Sequence, residues 1–184
     1  MKRICVFCGS KNGTKPVFKD WALSLGSWMG ENKHGLVYGG GSVGLMGVLA
    51  DSCLAYHNDV IGVIPKHLND IEIAHQGLGR LIEVENMFER KAIMLKYSDM
   101  FVVLPGGFGT LDELFEVVTL AQLKQHTKPV FILNGGGFFD PLLMQMNQMV
   151  IQGFVDEKTL KLMHICKDMA SLFEALKKTL SVEA

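Results

Sequence analysis

One nine-residue segment of the sequence combines three glycines with a hydroxyl group and two carboxylates. It reads Pro105-Gly-Gly-Phe-Gly-Thr-Leu-Asp-Glu113 and lies between an apolar strand-like run, Met100 to Leu104, and a helical pattern that opens at Leu111. Glycines let backbone N–H groups approach an anion closely, and the positive end of a helix favours negative charge. The segment therefore predicts a phosphate-binding loop.

Glu113 carries a charge that a purely anion-binding loop would avoid, so we interpret it as facing another part of the ligand. A structural interpretation stands beside this one. Thr110 and Glu113 have the spacing of a capping box, in which the threonine caps an amide and the acid returns to the N–H of the cap. The sequence leaves both open, although Asp112 and Glu116 raise the number of acids near the loop to three, which exceeds what capping needs.

Two adjacent cations, Arg90 and Lys91, stand at the start of a predicted helix, where the helix dipole disfavours positive charge. They are therefore expected to have partners. One interpretation is a solvated charge pair with nearby acids. The other is recognition of a phosphate or carboxylate by the guanidinium group.

A second glycine loop follows the second predicted strand. Gly39, Gly41 and Gly44 match the G-x-G-x-x-G pattern of dinucleotide-binding proteins, with Gly40 between the first two. The match is weak, because it follows the second strand and residues 64–66 offer no acid for a ribose. We expect this loop to lie beside the first one and to contact the same small ligand.

The histidines and cysteines favour structural positions. Cys5 and Cys8 form a C-x-x-C, but residues three apart in a strand point to opposite faces. No histidine pair has an i, i+4 spacing, and the sequence predicts neither a metal nor a cofactor. The residues of these two types are Cys5, Cys8, Cys53, Cys166, His34, His57, His67, His75, His126 and His164.

The elements that must position these residues alternate between short apolar runs and helical patterns. Predicted strands cover 3–8, 35–38, 60–64, 82–84, 101–104 and 130–133; predicted helices cover 16–32, 45–56, 90–97, 111–124, 141–151, 157–163 and 171–180. Strands that lack a polar side indicate a mostly parallel sheet covered on both faces. We predict a single Rossmann-like, doubly wound α/β domain over residues 1–184, with the irregular segment 65–79 above the carboxyl ends of the strands.

Composition excludes several broad classes of function. With 18 basic and 19 acidic residues the net charge is −1, so no global field attracts nucleic acid or an anionic membrane. No run approaches the roughly 20 apolar residues of a membrane span, and residues 4–8 are too few for a signal-peptide core of roughly 7 to 15 residues. Together with the scattered cysteines, these features predict a cytoplasmic protein.

The motifs taken together resemble the LOG ("Lonely Guy") family of cytokinin riboside 5′-monophosphate phosphoribohydrolases, whose members often carry a lysine decarboxylase-like label. The resemblance covers residues 3–135 in the family's order. Its elements are Cys8-Gly9-Ser10, Tyr38-Gly39-Gly40-Gly41, Gly44-Leu45-Met46-Gly47, Met87 with Arg90-Lys91, and the segment from Pro105 to Glu113.

The resemblance implies hydrolysis of the N-glycosidic bond of an adenosine-type 5′-monophosphate, which releases the free base and ribose 5-phosphate. It implies Arg90 and Glu113 as the catalytic residues, and a homodimer with the active site near the subunit interface. It also implies substrate contacts from Glu72, Lys91, Gly107, Phe108, Gly109, Thr110, Leu111, Asp112 and Thr119.

Three other functions remain open at this level. An AMP nucleosidase without a hormone role would differ only at the N6 position of adenine, where Met87 and Phe88 offer apolar surface. A non-catalytic nucleotide or cofactor carrier, as in proteins similar to the molybdenum cofactor carrier, would use the same scaffold. A pyridoxal phosphate decarboxylase would need a Schiff-base lysine, and Lys91 beside Arg90 is poorly suited to that role.

Overall fold

The computed structural model describes residues 1–68 and 73–182. Within them seven strands form one sheet in which every pairing is parallel, in the order β4-β3-β2-β1-β5-β6-β7. The strands are β1 (Arg3–Phe7), β2 (Gly35–Tyr38), β3 (Val60–Pro65), β4 (Arg80–Val84), β5 (Met100–Val103), β6 (Val130–Leu133) and β7 (Met163–Cys166). The helices are α1 (Val17–Glu31), α2 (Gly44–Leu54), α3 (Met87–Tyr97), α4 (Phe108–Gln122), α5 (Asp140–Ile151), α6 (Glu157–Leu160) and α7 (Met169–Val182).

The central strand β1 shows why the strands have no polar side. Ile4 and Val6 belong to the core under α1, α2 and α7, whereas Cys5 and Phe7 belong to the core under α3, α4 and α5. Successive side chains of a strand point to opposite faces, so a sheet covered on both faces needs apolar residues throughout. The predicted doubly wound α/β fold is confirmed.

The strand order reverses at β1. The chain adds β2, β3 and β4 on one side of β1, and then returns to add β5, β6 and β7 on the other. At such a reversal the loops after two neighbouring strands diverge and leave a crevice at their carboxyl ends. The loops after β1 and β5 meet here, since the amide of Gly9 donates to the carbonyl of Pro105 over 3.1 Å.

The prediction was wrong near the carboxyl terminus, where it extended a helix from 157 to 163. In the structure α6 ends at Leu160, and Met163 begins the edge strand β7, which pairs with β6. Only the two end residues of β7 are buried. A four-residue edge strand of this kind carries too little periodicity to be distinguished from the end of a helix.

Two helices begin three residues earlier than predicted, and both contain candidate site residues. Helix α3 starts at Met87 rather than Arg90, because Asn86 caps it by accepting from the amide of Glu89 over 3.0 Å. Helix α4 starts at Phe108 rather than Leu111, with Gly107 at its cap position. In the described ranges no helix is both long and apolar enough to cross a membrane.

Candidate active site

A cavity of about 390 Å³ opens at the carboxyl ends of β1 and β5. The loop after β1, the glycine loop after β5 and the first turns of α3 and α4 form its walls. The described residues that line it are Cys8, Gly9, Ser10, Lys11, Asn12, Gly13, Phe18, Leu45, Met46, Met87, Arg90, Pro105, Gly106, Gly107, Phe108, Gly109, Thr110, Glu113 and Phe138.

The amino terminus of α4 forms one wall of this cavity. Its first helical hydrogen bond runs from the amide of Leu111 to the carbonyl of Gly107 over 3.2 Å, and no described side chain caps the helix. The amides of the first turn, up to Thr110, therefore have no partner within the helix and lie beside the cavity. Of the two interpretations left open for Glu113, the capping box with Thr110 does not apply, because Thr110 is the third residue of the helix and not its cap.

Gly106 allows the glycine loop to pack closely against the helix that follows it. A Cβ atom at this position would stand 2.0 Å from Oγ1 of Thr110 and 2.9 Å from the backbone nitrogen of Gly9. Real Cβ atoms do not approach other atoms so closely, so any side chain would push the two loops apart. The glycine thus keeps the amides of α4 at the edge of the cavity.

Arg90 is held from behind the cavity by the second glycine loop. Its Nη2 donates to the carbonyl of Gly39 over 2.8 Å, and only 4% of the residue is exposed. A Cβ atom at Gly39 would lie 2.0 Å from that nitrogen, so only glycine leaves room for the guanidinium group. Side chains in a helix lean toward its amino terminus, which directs Arg90 from the first turns of α3 into this corner.

Glu113 lines the same cavity and is 8% exposed. It lies one and a half turns inside α4, so the carboxylate faces the interior while the amides of the first turn remain available to an anion. Arg90 and Glu113, two buried residues of opposite charge, therefore line the same cavity. A buried charge costs free energy of folding unless an opposite charge or hydrogen bonds stabilise it. Charged groups buried in a cavity are therefore typical of a functional site.

Lys91 does not line the cavity within the described residues. Its ammonium lies 2.5 Å from Oε2 of Glu116 and 3.1 Å from Oδ2 of Asp112. Burial lowers the pKa of Lys91, but the hydrogen bonds to Glu116 and Asp112 outweigh it and raise the pKa overall. Of the two interpretations for the adjacent cations, the charge pair therefore applies to Lys91.

The structure brings together some of the residues that the sequence singled out and separates others. Those that line the cavity are Arg90, Gly107, Phe108, Gly109, Thr110 and Glu113. Those that do not line it, among the described residues, are Gly39, Gly40, Gly41, Gly44, Lys91, Leu111, Asp112 and Thr119. Glu72 lies outside the described residues.

Sequence reasoning assigned no site role to the loop after β1, although Cys8-Gly9-Ser10 was among the family motifs. It also missed two aromatic side chains. Ser10, Lys11 and Asn12 line the cavity, as do Phe18 and Phe138, whose rings meet edge to face at 5.6 Å. The loop had a usable signal, since the first strand of a doubly wound sheet commonly ends at the ligand crevice. The aromatic pair had none, because its two residues are 120 positions apart in sequence.

The segment after position 72 packs against the second glycine loop. The amide of Ser42 donates to the carbonyl of Ile73 over 2.8 Å, and that of His75 to the carbonyl of Gly40 over 3.0 Å. The imidazole of His75 fixes the segment further, because Nε2 lies 2.9 Å from Oδ1 of Asp51 on α2. Residues 73–75 of the predicted irregular segment therefore lie at the carboxyl end of β2, as expected, while residues 69–72 lie outside the described residues.

Among the described residues there is no cluster of three or more histidines, cysteines or acids that could hold a metal ion. The four cysteines are buried. Cys5 and Cys8 point to opposite faces of the sheet, as predicted for a strand, since one belongs to each hydrophobic core.

Comparison with known proteins gives two kinds of likeness. A family described as possible lysine decarboxylase matches residues 46–176. A cytokinin riboside 5′-monophosphate phosphoribohydrolase of Arabidopsis thaliana is 46% identical over 177 residues, which are 96% of this chain and 82% of that protein. A protein of the same name from Oryza sativa subsp. japonica is 47% identical over 156 residues, 85% of this chain and 64% of its own length.

Solved structures extend the likeness at the level of the fold. The molybdenum cofactor carrier protein of Chlamydomonas reinhardtii has a TM-score of 0.71 at 23% identity, over 98% of both chains. The molybdenum cofactor binding protein of Rippkaea orientalis has a TM-score of 0.73 at 20% identity, also over 98% of both. At these identities the likeness concerns the fold alone.

Proposed function

Because this chain belongs to the LOG family of cytokinin riboside 5′-monophosphate phosphoribohydrolases, we propose that it hydrolyses adenosine-type nucleoside 5′-monophosphates at the N-glycosidic bond. The products are the free base and ribose 5-phosphate. The observation that carries the proposal is the presence of buried Arg90 and Glu113 in the cavity that the uncapped amino terminus of α4 also lines.

The phosphate of the substrate rests on the first turn of α4. The amides from Gly107 to Thr110 can donate hydrogen bonds to an anion, because no side-chain cap competes for them. The positive end of the helix dipole also favours a negative charge there. This contact involves a part of the substrate that does not react. It therefore provides binding energy and fixes the ribose relative to Glu113.

Glu113 acts on the ribose. As the C1′–N9 bond breaks, its electron pair leaves with the base and positive charge develops on the sugar, which a carboxylate stabilises as in glycoside hydrolysis. A water oxygen then bonds to C1′, and its proton balances the charge on the departing base. Glu113 is placed to orient that water, and Arg90 is placed to orient Glu113 or the substrate.

The base lies on the β2 side of the cavity. Met46 and Met87 both line the cavity next to Arg90, whose Nη1 lies 3.7 Å from the sulfur of Met87. Their thioethers supply adaptable apolar surface for a purine and a substituent at N6. Phe88 is 80% exposed and does not line the cavity within the described residues, so Met87 is the better candidate of the two.

Decarboxylation is not supported, despite the description that the family carries. A Schiff-base lysine must reach its neutral form, which a lowered pKa favours. The pKa of Lys91 is raised by its two carboxylate partners. The pKa of Lys128 is lowered by burial, but this residue precedes β6. It therefore lies at the amino-terminal ends of the parallel strands, whereas the cavity lies at their carboxyl ends.

The test is a direct product assay. The purified protein is incubated with AMP and with N6-isopentenyl-AMP, and free base and ribose 5-phosphate are quantified by chromatography. Both products should appear in equal amounts, and the ratio of the two rates assigns the preference between plain and N6-modified substrates. Binding of either nucleotide without release of base would contradict the proposal and favour a carrier.

We propose further that two copies associate through the outer face of α4. Four exposed residues follow one another at intervals of seven, four and four positions along this helix and its carboxyl-terminal cap: Phe108, Phe115, Thr119 and Leu123. Phe108 is 94% exposed and Leu123 is 61% exposed. A helix face that exposes three large apolar side chains is typical of an interaction surface. It also gives Thr119 a role, because a residue outside its own cavity can reach the cavity of a second copy.

The association is tested by light scattering after size-exclusion chromatography. The protein should elute as a dimer, and Leu123→Glu should shift it toward the monomer because the charge faces apolar surface. Gln125→Glu, at an exposed position two residues further on, adds the same single charge and serves as the control. A monomeric wild-type protein with full activity would contradict the proposed dimer without touching the proposed reaction.

We also propose that the protein works in a reducing compartment such as the cytoplasm. Its support is that all four cysteines are buried and that burial raises the pKa of Cys53 to about 12. Burial, together with the nearby charge of Asp168, raises the pKa of Cys166 to about 11. Thiols of this kind serve packing rather than disulfide formation.

A further inference from the structure

The cavity is lined by few charged side chains. Among the described residues they are Lys11, Arg90 and Glu113. A phosphate monoester carries about −1.5 to −2 charges at pH 7, and the carboxylate of Glu113 offsets the charge of one cation. Arg90 and Glu113 alone therefore leave the cavity close to neutral. Lys11 is the residue that makes its net charge positive.

Lys91, the cation that the family resemblance points to, is not placed for this task. Its ammonium binds two carboxylates, on Asp112 and Glu116, and it lies outside the described lining of the cavity. An ammonium that already has two anionic partners gains little from a third. The phosphate must therefore find its positive side chain elsewhere.

Lys11 lines the cavity from a loop that packs against the glycine loop before α4. Its loop is held against the glycine loop, since the amide of Gly9 donates to the carbonyl of Pro105. A Cβ atom at Gly9 would stand 3.4 Å from Cα of Gly106 and 2.9 Å from the carbonyl oxygen of Lys11, so the loop after β1 and the glycine loop are in close contact at this point. Within the described residues no carboxylate forms an ion pair with Lys11.

We propose that Lys11 binds the 5′-phosphate of the substrate and thereby makes the enzyme selective for nucleotides over nucleosides. The inference rests on the proposed function and names the residue that recognises the phosphate within it. The amides of α4 supply hydrogen bonds in a fixed geometry, and the exposed ammonium supplies charge on a flexible stem. Together they distinguish a phosphate ester from the bare hydroxyl group of adenosine.

The test compares Lys11→Met, which keeps the length of the side chain and removes its charge, with Lys11→Arg, which keeps the charge. Lys15→Met is the control, because Lys15 is an exposed lysine of the same loop that does not line the cavity. The measurements are KM and kcat for AMP or N6-isopentenyl-AMP, and inhibition constants for ribose 5-phosphate and for adenosine.

The expected result for Lys11→Met is a rise of about tenfold in KM and in the inhibition constant of ribose 5-phosphate, with little change in kcat. The inhibition constant of adenosine should stay unchanged, because adenosine has no phosphate. In Lys11→Arg, KM and the inhibition constant of ribose 5-phosphate should stay close to the wild-type values. The wild-type KM should also rise with salt more steeply than that of Lys11→Met, since an exposed charge is screened.

Two results would overturn the proposal. One is a Lys11→Met variant that matches Lys15→Met in KM, in inhibition and in salt dependence. The other is an equal loss for adenosine and for the phosphorylated ligands, which indicates a general distortion of the loop.

A failure of the proposed function is distinguishable from a failure of this inference. If the wild-type protein releases no base, calorimetric titrations with AMP and adenosine replace the kinetic assay. Selective weakening of AMP binding in Lys11→Met then supports the phosphate contact even though the reaction is absent. Equal AMP affinity in both proteins would refute it.

Discussion

Glu113 combines two features that are rarely found together without a functional reason. It is a carboxylate with 8% exposure, and it lies in a cavity whose other wall is the amino terminus of its own helix. In α4 it follows the helix cap by six positions, so capping does not account for it. What remains is the interpretation that the carboxylate faces the reacting part of the substrate.

Replacement of this carboxylate by its amide isostere should separate catalysis from stability. For Glu113→Gln we expect kcat to fall by about 10²- to 10⁴-fold, because the amide cannot stabilise positive charge on the ribose or orient water as a base. The thermal unfolding midpoint should stay within a few degrees of the wild type. Glu116→Gln, one turn further along α4, is the control, and a Glu113→Gln enzyme with unchanged kcat would remove Glu113 from the mechanism.

Gly39 has a role that its motif did not suggest. The motif is typical of direct ligand contact, whereas in this structure the carbonyl of Gly39 accepts from Arg90 and its missing side chain makes room for the guanidinium group. Gly39 therefore acts through Arg90, as a positioning residue.

A single added methyl group should consequently displace Arg90. For Gly39→Ala we expect kcat/KM to fall by about 10²-fold or more, and stability to fall by about 1 to 3 kcal/mol, as in other overpacked sites. Gly79→Ala is the matched control, because a Cβ atom there has no neighbour within 4 Å. Equal activities of the two variants, measured by base release, would show that Arg90 does not need its present position.

At the scale of elements, the first turns of α3 and α4 decide the geometry of the site. Asn86 caps α3 and thereby makes Arg90 the fourth residue of the helix. Gly107 stands at the cap position of α4 and has no side chain, so the first amides of α4 remain available to a ligand. A side chain therefore satisfies the amino terminus of α3, whereas the amino terminus of α4 is suited to bind an anion.

The segment from Ile73 to His75 is a second supporting element. It forms hydrogen bonds with Gly40 and Ser42, while His75 binds Asp51 on α2. Movement of this segment would loosen the loop whose first glycine holds Arg90. Its effect on catalysis should therefore be indirect and moderate.

Removal of the imidazole tests this support. For His75→Ala we expect kcat/KM to fall by about threefold to thirtyfold, together with a loss of about 1 to 2 kcal/mol in stability, since a largely buried side chain and its bond to Asp51 disappear. His164→Ala, at an exposed position on β7, is the control. Loss of stability with unchanged kcat/KM would limit His75 to a structural role.

At the scale of the whole molecule, two histidines that do not line the cavity, His34 and His126, make the stability depend on pH. His126, in the turn between α4 and β6, accepts from the amide of Lys128 at Nδ1 over 3.1 Å, so Nε2 carries the proton toward the carbonyl of Val117. Burial lowers the pKa of His126 below its usual 6.5, and burial also lowers that of His34. Both imidazoles are therefore neutral in the native protein near pH 7.

The sign of the pH effect follows from these lowered pKa values. The unfolded chain takes up protons on these histidines before the folded protein does, so their contribution to stability is complete above about pH 6.5 and is lost as the pH falls through the folded pKa values. We expect the thermal unfolding midpoint to decrease from pH 7 to pH 5. The decrease should be smaller in His126→Gln, and a slope identical to the wild type would exclude His126 as a contributor.

The sequence by itself determined the parallel α/β sheet, and it singled out the glycine loop, Arg90 and Glu113, which the structure brings to one cavity. These features depend on local composition, namely apolar strands buried on both faces, glycines before a helix, and a motif shared with a family. It did not determine the start of α4, because glycine at a cap position leaves no side-chain signal, nor the short edge strand β7.

Only the tertiary structure decided which side chains meet. It paired Lys91 with Asp112 and Glu116, placed Gly39 behind Arg90, and brought Lys11 to the cavity from the loop after β1. These contacts join residues that are distant in sequence, and their positions follow from strand order and helix packing, which periodicity does not record. The roles of individual charges in the site therefore depend on the fold.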